Sequence, residues 1–156
     1  MDFVGFRNTT LAIKKAGDGG TLKLRNDDVF GIDSFATLVL LYMAAKTYDY
    51  PKDENQNPSI PARYYDQGWK TIAEGLGLLY AAVNKNTTDS EEAALIKKRK
   101  ATAKNRISRA WTFLAKKNLL IQLKPPSLGG NAGYVLLLGD DEENKEVIES
   151  IEEMIV

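Results

Sequence analysis

The side chains best suited to binding chemistry in this sequence lie on one face of a predicted helix. At about 100° per residue, five basic or hydrogen-bonding residues fall together there: Thr102, Asn105, Arg109, Thr112 and Lys116. Asn can make two hydrogen bonds to the edge of adenine, Arg can make two to guanine, and Lys is suited to phosphate. Because the face contains no acidic residue, it predicts binding to a polyanion.

A helix must present this face, and its apolar pattern is clear. The i, i+3, i+4, i+7, i+8 spacing of an apolar face is met by Ile107, Ala110, Trp111, Leu114 and Ala115. Cations and an Asn suited to a left-handed cap predict that the helix ends within 116–118. Two apolar runs follow, 119–123 and 134–138, separated by a turn rich in Gly and Pro. The sequence therefore predicts a helix followed by a two-stranded ribbon.

Upstream, residues 69–76 predict a short helix that buries Trp69, Ile72, Ala73 and Leu76. Residues 78–101 separate it from the helix that begins at about Thr102. Asp89 or Ser90 is a candidate N-cap, and nothing from Ser90 to Lys117 is Gly or Pro. One continuous helix of about 28 residues, or two helices with a bend near 101–102, are both compatible with this pattern.

The segments TIAEGLG at 71–77 and RISRAWTFLAKKNLL at 106–120 resemble the winged helix-turn-helix family of DNA-binding domains. The resemblance covers roughly residues 69–138. It implies that the helix from Thr102 is a recognition helix in the major groove and that the ribbon is a wing. The family usually joins the two helices by a few residues, whereas here about 24 residues, Leu78 to Ala101, lie between them.

The residues expected to contact DNA fall into three groups. Base edges are expected for Asn105, with adenine, and for Arg106 or Arg109, with guanine. Thr102 and Ser108 are expected to contact either a phosphate or a base edge. The remaining residues are expected to contact phosphate: Lys70, Thr71, Lys98, Lys100, Lys104, Lys116 and Lys124. The wing offers few polar side chains and is expected to contribute weakly.

Composition narrows the possible functions. The chain has no Cys and no His, which excludes disulfides, the common zinc sites and Ser-His or Cys-His catalytic pairs. The acids at 49–57 do not have the spacing of a calcium loop. The sequence therefore predicts no enzyme, metal or cofactor. No signal peptide or membrane span is apparent, and a cytoplasmic protein is expected.

The net charge of zero hides a strong asymmetry. Residues 93–124 contain ten cations and no anion, while residues 140–156 contain eight anions and one cation. A basic block of this kind is typical of nucleic-acid binders, although a solvated basic helix face is the simpler alternative. A third interpretation is that the acidic tail folds back on the basic face and competes with DNA.

The two ends of the chain complete the prediction. Residues 1–31 predict a β-hairpin, with 11–14 and 21–25 as strands around a turn at 16–20. Asp33 or Ser34 is expected to cap a buried helix that packs through Leu38, Leu41, Tyr42 and Ala45. Tyr64 and Tyr65 are either core residues or a platform for base stacking.

The C-terminal residues 140–156 predict an amphipathic helix whose apolar stripe is Val147, Ile148, Ile151, Met154 and Ile155. The stripe must pack on its own domain or form a homodimer.

The predicted fold class is α+β, mainly α: a winged helix-turn-helix with an N-terminal β-hairpin, a long insertion between the motif helices and a C-terminal amphipathic helix. Residues 1–139 would form the DNA-binding domain, with its core in 32–139. The expected function is sequence-specific binding of double-stranded DNA, as a transcriptional regulator or as a replication or partition protein of a mobile element. The alternative is a protein-interaction module that contacts its partner through the C-terminal stripe and residues 78–83.

Overall fold

The computed structural model describes residues 3–17 and 33–155. Five helices and three strands occur in these ranges, in the order α1 (Phe6–Gly17), α2 (Ser34–Ala45), β1 (Tyr64–Tyr65), α3 (Gly68–Gly75), α4 (Asp89–Lys116), β2 (Leu120–Lys124), β3 (Gly133–Leu136) and α5 (Asp141–Ile155). The strands form an antiparallel sheet in the order β1-β3-β2. The predicted class, α+β and mainly helical, is confirmed.

The sheet separates two apolar clusters because successive residues of β3 point to opposite faces. Leu136 belongs to the larger cluster, which α1–α4 form with one face of the sheet. Val135 and Leu137 belong to the smaller cluster on the other face, with Val147 and Ile151 of α5. The helical core and the acidic C-terminal helix therefore lie on opposite sides of the sheet.

Helix α1 overturns the predicted N-terminal hairpin, because residues 11–14, expected to form a strand, lie within it. The start of α1 is capped from a distance: the Asp49 carboxylate accepts hydrogen bonds from the backbone N–H groups of Arg7 and Asn8, at 3.0 and 2.6 Å. Asn8 is fully buried and donates to the Tyr48 carbonyl. These contacts join residues about 40 positions apart, so a local sequence pattern cannot predict them. The predicted turn and the second strand lie outside the described residues.

Helix α2 is capped by Asp33, whose side chain accepts from the Ala36 N–H at 2.9 Å, as predicted. Its predicted packing face is partly right, because Leu41 and Tyr42 are partly buried against the main core. The buried residues are Ala36, Val39, Leu40, Met43 and Ala44, whereas Leu38 is 45% exposed. Because the helix is apolar nearly all round, its sequence has no polar face from which to orient it.

Helix α4 is continuous from Asp89 to Lys116, so one long helix forms instead of two, and the expected start at Thr102 is wrong. It is about 42 Å long at about 1.5 Å per residue. The N-cap is Thr88 rather than Asp89 or Ser90: its side chain accepts from the Glu91 N–H, and Glu91 accepts from the Thr88 N–H. Only 76–88 connect α3 to α4 outside helix, so half of the predicted insertion belongs to α4.

The other end of α4 lies where it was expected. Lys117 is the C-cap, and Asn118 adopts a left-handed conformation with φ of 58°. The Leu119 N–H donates to the Leu114 carbonyl at 3.0 Å, which closes the helix and starts the chain toward β2. Strands β2 and β3 match the two predicted apolar runs. β1 was not predicted as a strand, and its Tyr64 and Tyr65 are buried, which favours the core alternative over a stacking platform.

Helix α5 packs on its own chain. Val147 and Ile151 are buried, while Met154 and Ile155 are each 38% exposed. Arg63, which precedes β1, is fully buried and contacts Glu143 of α5 at 2.7 Å. The helix therefore does not fold back on the basic face of α4, and the residues on which a homodimer was predicted are mostly used within the chain. No helix in the described ranges is long and apolar enough to cross a membrane.

Candidate nucleic-acid interface

The outward face of α4 carries the predicted binding residues. Its inward face buries Ala103, Ile107, Ala110 and Leu114 against the larger cluster. All five residues of the predicted outward stripe, 102, 105, 109, 112 and 116, are exposed. Of the residues expected to be buried, Trp111 is only half-buried and Ala115 is exposed. The inward face is therefore narrower than predicted, and it begins earlier, at Ala103.

The α4 cations form no ion pair with any residue in 3–17 or 33–155. Three ion pairs occur among the described residues, and none of them includes a residue of α4. The Asp and Glu residues of α4 are confined to its first turn. The part of α4 that follows is a positive surface without a carboxylate partner in residues 3–17 and 33–155, and such a surface attracts phosphate.

Arg106 and Arg109 differ in orientation. The guanidinium carbon of Arg106 lies 4.1 Å from the centroid of the Phe35 ring, at the start of α2. This contact directs Arg106 toward the flank of α4, where a phosphate is a better partner than a base edge. Arg109 lies on the outward face, one turn after Asn105. The geometry therefore favours Arg109 over Arg106 as the guanine-reading candidate.

A cleft separates α4 from the sheet on the opposite flank. It has a volume of about 320 Å³, and it is lined by Ser108, Trp111, Thr112, Ala115, Leu120, Gln122 and Tyr134. The rings of Trp111 and Tyr134 contact each other, with centroids 4.6 Å apart. The Tyr134 hydroxyl is a protonated donor at neutral pH, and burial raises its pKa further above the ordinary value. No charged residue lines the cleft, which forms the border of the basic face on the side of the sheet.

Gln122 is a polar residue of this border that sequence reasoning did not select. It is exposed on β2, opposite Tyr134 on β3. Its amide can donate to and accept from a base or a phosphate. The sequence did contain a signal for this residue, because Gln122 is the one polar residue in the apolar run 119–123.

The predicted residues outside α4 are less well placed. Thr71 is half-buried, and its hydroxyl donates to the carbonyl of Gln67, the N-cap of α3. Lys70 is exposed, but its Nζ lies 4.0 Å from a carboxylate oxygen of Glu74. Lys124 is exposed at the end of β2. The structure therefore brings together the α4 residues of the predicted site and leaves α3 as a minor contributor.

The wing loop is constrained by its own contacts. Ser127 and Gly130 exchange two backbone hydrogen bonds, at 3.1 and 3.0 Å, which form a tight turn. The side chain of Asn131 lies against Gly68 at the start of α3: a Cβ added to Gly68 would lie 2.7 Å from Asn131 Oδ1. The Asn131 side chain therefore holds the loop between β2 and β3 against the start of α3.

Among the described residues, no group of three or more acidic side chains is arranged to hold a metal ion. The chain matches no known family model, no curated protein and no solved structure at a significant level.

Proposed function

We propose that this protein binds double-stranded DNA by placing the outward face of α4 in the major groove, in the manner of winged helix-turn-helix domains. One observation carries the proposal: the exposed face of α4 after its first turn is basic and hydrogen-bonding, and it has no carboxylate partner in the described part of the chain. An α-helix fits the width of the major groove, where base edges are distinguishable.

The order of elements supports this mode of binding. Helix α3 packs against α4, and α4 leads through a closed C-cap directly into the hairpin β2–β3. In the winged family the corresponding elements are the bracing helix, the recognition helix and the wing. Here the connection of 13 residues between α3 and α4 is longer than in the usual motif.

Within this interface the residues have different roles. Asn105 and Arg109 are proposed to read base edges, because their side chains are exposed on the outward face. Lys104 and Lys116 are proposed to neutralise phosphates, which adds affinity without sequence preference. The biological role that fits is a transcriptional regulator or a replication or partition protein of a mobile element, and the interface is the same for both.

Binding to a fluorescent duplex of random sequence at low and at moderate salt tests the proposal. The test variant is Arg109→Ala/Lys116→Ala, and the control is Lys14→Ala/Lys145→Ala, which removes two exposed cations outside α4. We expect the test variant to bind about 10- to 100-fold more weakly and the control to bind like the wild type. Equal losses in the two variants would mean that the net charge, and not the α4 face, controls binding.

A protein-interaction module is the second candidate, and exposed apolar residues favour it. Tyr80 and Val83, in the connection between α3 and α4, are 76% and 47% exposed. A partner that contacts them would bind in a largely salt-insensitive way, because apolar contacts are not screened. Tyr80→Ser/Val83→Ser would abolish binding to such a partner and leave DNA retention unchanged.

A further inference from the structure

The first half of α4 packs only slightly against the rest of the described chain. Helix α4 buries no residue before Ala103, so residues 89–102 extend from the body of the protein. In this half only Glu92 and Ile96 are even half-buried. A half that buries so little stays helical because of its capping box and because it continues into the packed half. Its surface is therefore available for a ligand on nearly all sides.

The sequence of α4 repeats its basic pattern at an interval of seven residues. Residues 97–99 read KKR, and residues 104–106 read KNR. Residues seven apart on an α-helix lie on nearly the same face, about 10–11 Å apart. The projecting half therefore presents the same arrangement of side chains as the packed half, two turns earlier.

The repeat produces three parallel rows along α4. The central row contains Lys98, Asn105 and Thr112, which face outward. One flanking row contains Lys97 and Lys104 and leads to Trp111, whose ring contacts Tyr134 of the sheet.

The other flanking row contains Arg99 and Arg106. Arg106 contacts Phe35 of α2, so this row lies on the α2 side. All of the cations in the three rows are exposed.

The charge along α4 limits where a polyanion can lie. Asp89, Glu91 and Glu92 occupy the first turn, and the basic rows begin at Lys97. Phosphate is therefore repelled at the tip of the helix and attracted from Lys97 onward. Because α4 is one continuous helix of 28 residues and the groove curves around the duplex, the two halves of the helix cannot both face base edges.

We propose that Lys97, Lys98 and Arg99 form a second contact with DNA, which binds backbone phosphates beyond the groove that Asn105 and Arg109 read. This contact rests on the proposed DNA binding. It adds affinity and salt dependence but no sequence preference, since phosphate contacts do not distinguish bases.

The triple variant Lys97→Gln/Lys98→Gln/Arg99→Gln tests this contact. Glutamine keeps the helix propensity and removes the charge. The matched control is Lys14→Gln/Lys85→Gln/Lys145→Gln, which removes three exposed cations outside α4. Binding of each protein to random duplex is measured over a range of salt concentrations, and circular dichroism verifies that each variant is folded.

We expect the slope of log K against log salt to decrease in magnitude by about 2–3 for the triple variant, at about 0.9 per phosphate. The control should keep the wild-type slope, and duplexes selected by the triple variant should have the wild-type consensus. A triple variant with the slope of the control would overturn the second contact and leave the proposed function intact. If Asn105→Ala/Arg109→Ala binds like the wild type while the triple variant binds no DNA, the base-reading role fails and the phosphate contact stands. Absence of DNA retention by the wild type at low salt would overturn both.

Discussion

The guanidinium of Arg106 lies over the ring of Phe35, with 4.1 Å between the guanidinium carbon and the ring centroid. Phe35 is partly buried against the main core, so the ring is a fixed support. The contact connects the start of α2 to the middle of α4 and orients a cation that is exposed to solvent. A packing residue of α2 thus helps to arrange the proposed DNA-binding surface.

Phe35→Leu should weaken DNA binding although Phe35 itself does not face the duplex. The variant keeps apolar volume but removes the ring under Arg106, which is worth about 0.5–1 kcal/mol, or about 2- to 5-fold in affinity. The effect should disappear in an Arg106→Ala background. Affinities of the two single variants and the double variant, measured by anisotropy, give this coupling. Additive losses would show that Phe35 acts on binding by another route.

Thr88→Ala should loosen the projecting half of α4 and little else. The variant removes the hydroxyl that accepts from the Glu91 N–H at 3.2 Å, and such a cap is worth about 1 kcal/mol. Because the first half of α4 buries no residue, local fraying should absorb most of this loss. Hydrogen exchange should accelerate within residues 89–102, while amides after Ala103 keep their protection. Equal acceleration throughout α4 would mean that the helix opens as one unit.

Glu143→Gln should destabilise the whole protein. Glu143 is the one carboxylate within ion-pair distance of Arg63 in the described residues, and the Arg63 side chain is fully buried. Removing the charge leaves an uncompensated guanidinium, which costs about 2–4 kcal/mol in the free energy of unfolding. Chemical denaturation measures the loss. The matched control is Glu142→Gln, at an exposed neighbouring position, which should change the same quantity by less than about 0.5 kcal/mol.

Stability should decrease at alkaline pH because of Tyr65. Burial raises the pKa of its hydroxyl, which donates to the Gly68 carbonyl at 2.8 Å. The unfolded chain releases this proton near pH 10, and the folded protein retains it, so the stabilisation is complete below that pH and is lost as the pH rises above it. Tyr65→Phe should be less stable at pH 7, by about 1 kcal/mol for the lost hydrogen bond. It should also show a smaller further loss above about pH 10. If the free energy of unfolding of the wild type and of Tyr65→Phe changed in the same way with pH, this account would be contradicted.

The elements with strong local signals were predictable from the sequence. The end of α4 at Lys116, the two strands after it and the cap at Asp33 each depend on residues within a few positions of one another. The exposed face of α4 was predictable for the same reason, because a helical period places its residues without knowledge of the fold.

The errors concern features that depend on distant residues. Helix α1 begins at a cap supplied by Asp49, and its buried Asn8 bonds to residues 47 and 48. The orientation of α2 is decided by its neighbours. Lys97 and Arg99 were not selected as site residues, and the second contact proposed for them depends on α4 being one continuous helix.

The central claim is that α4 reads a DNA sequence through Asn105 and Arg109, and selection from random duplexes tests it most directly. We expect the wild type to select a consensus, and Arg109→Ala to lose preference at one position, at a cost of about 1–3 kcal/mol. Lys116→Ala should weaken binding equally for all sequences. Weak, uniform retention that disappears with salt, or a consensus that neither Asn105→Ala nor Arg109→Ala alters, would contradict the claim.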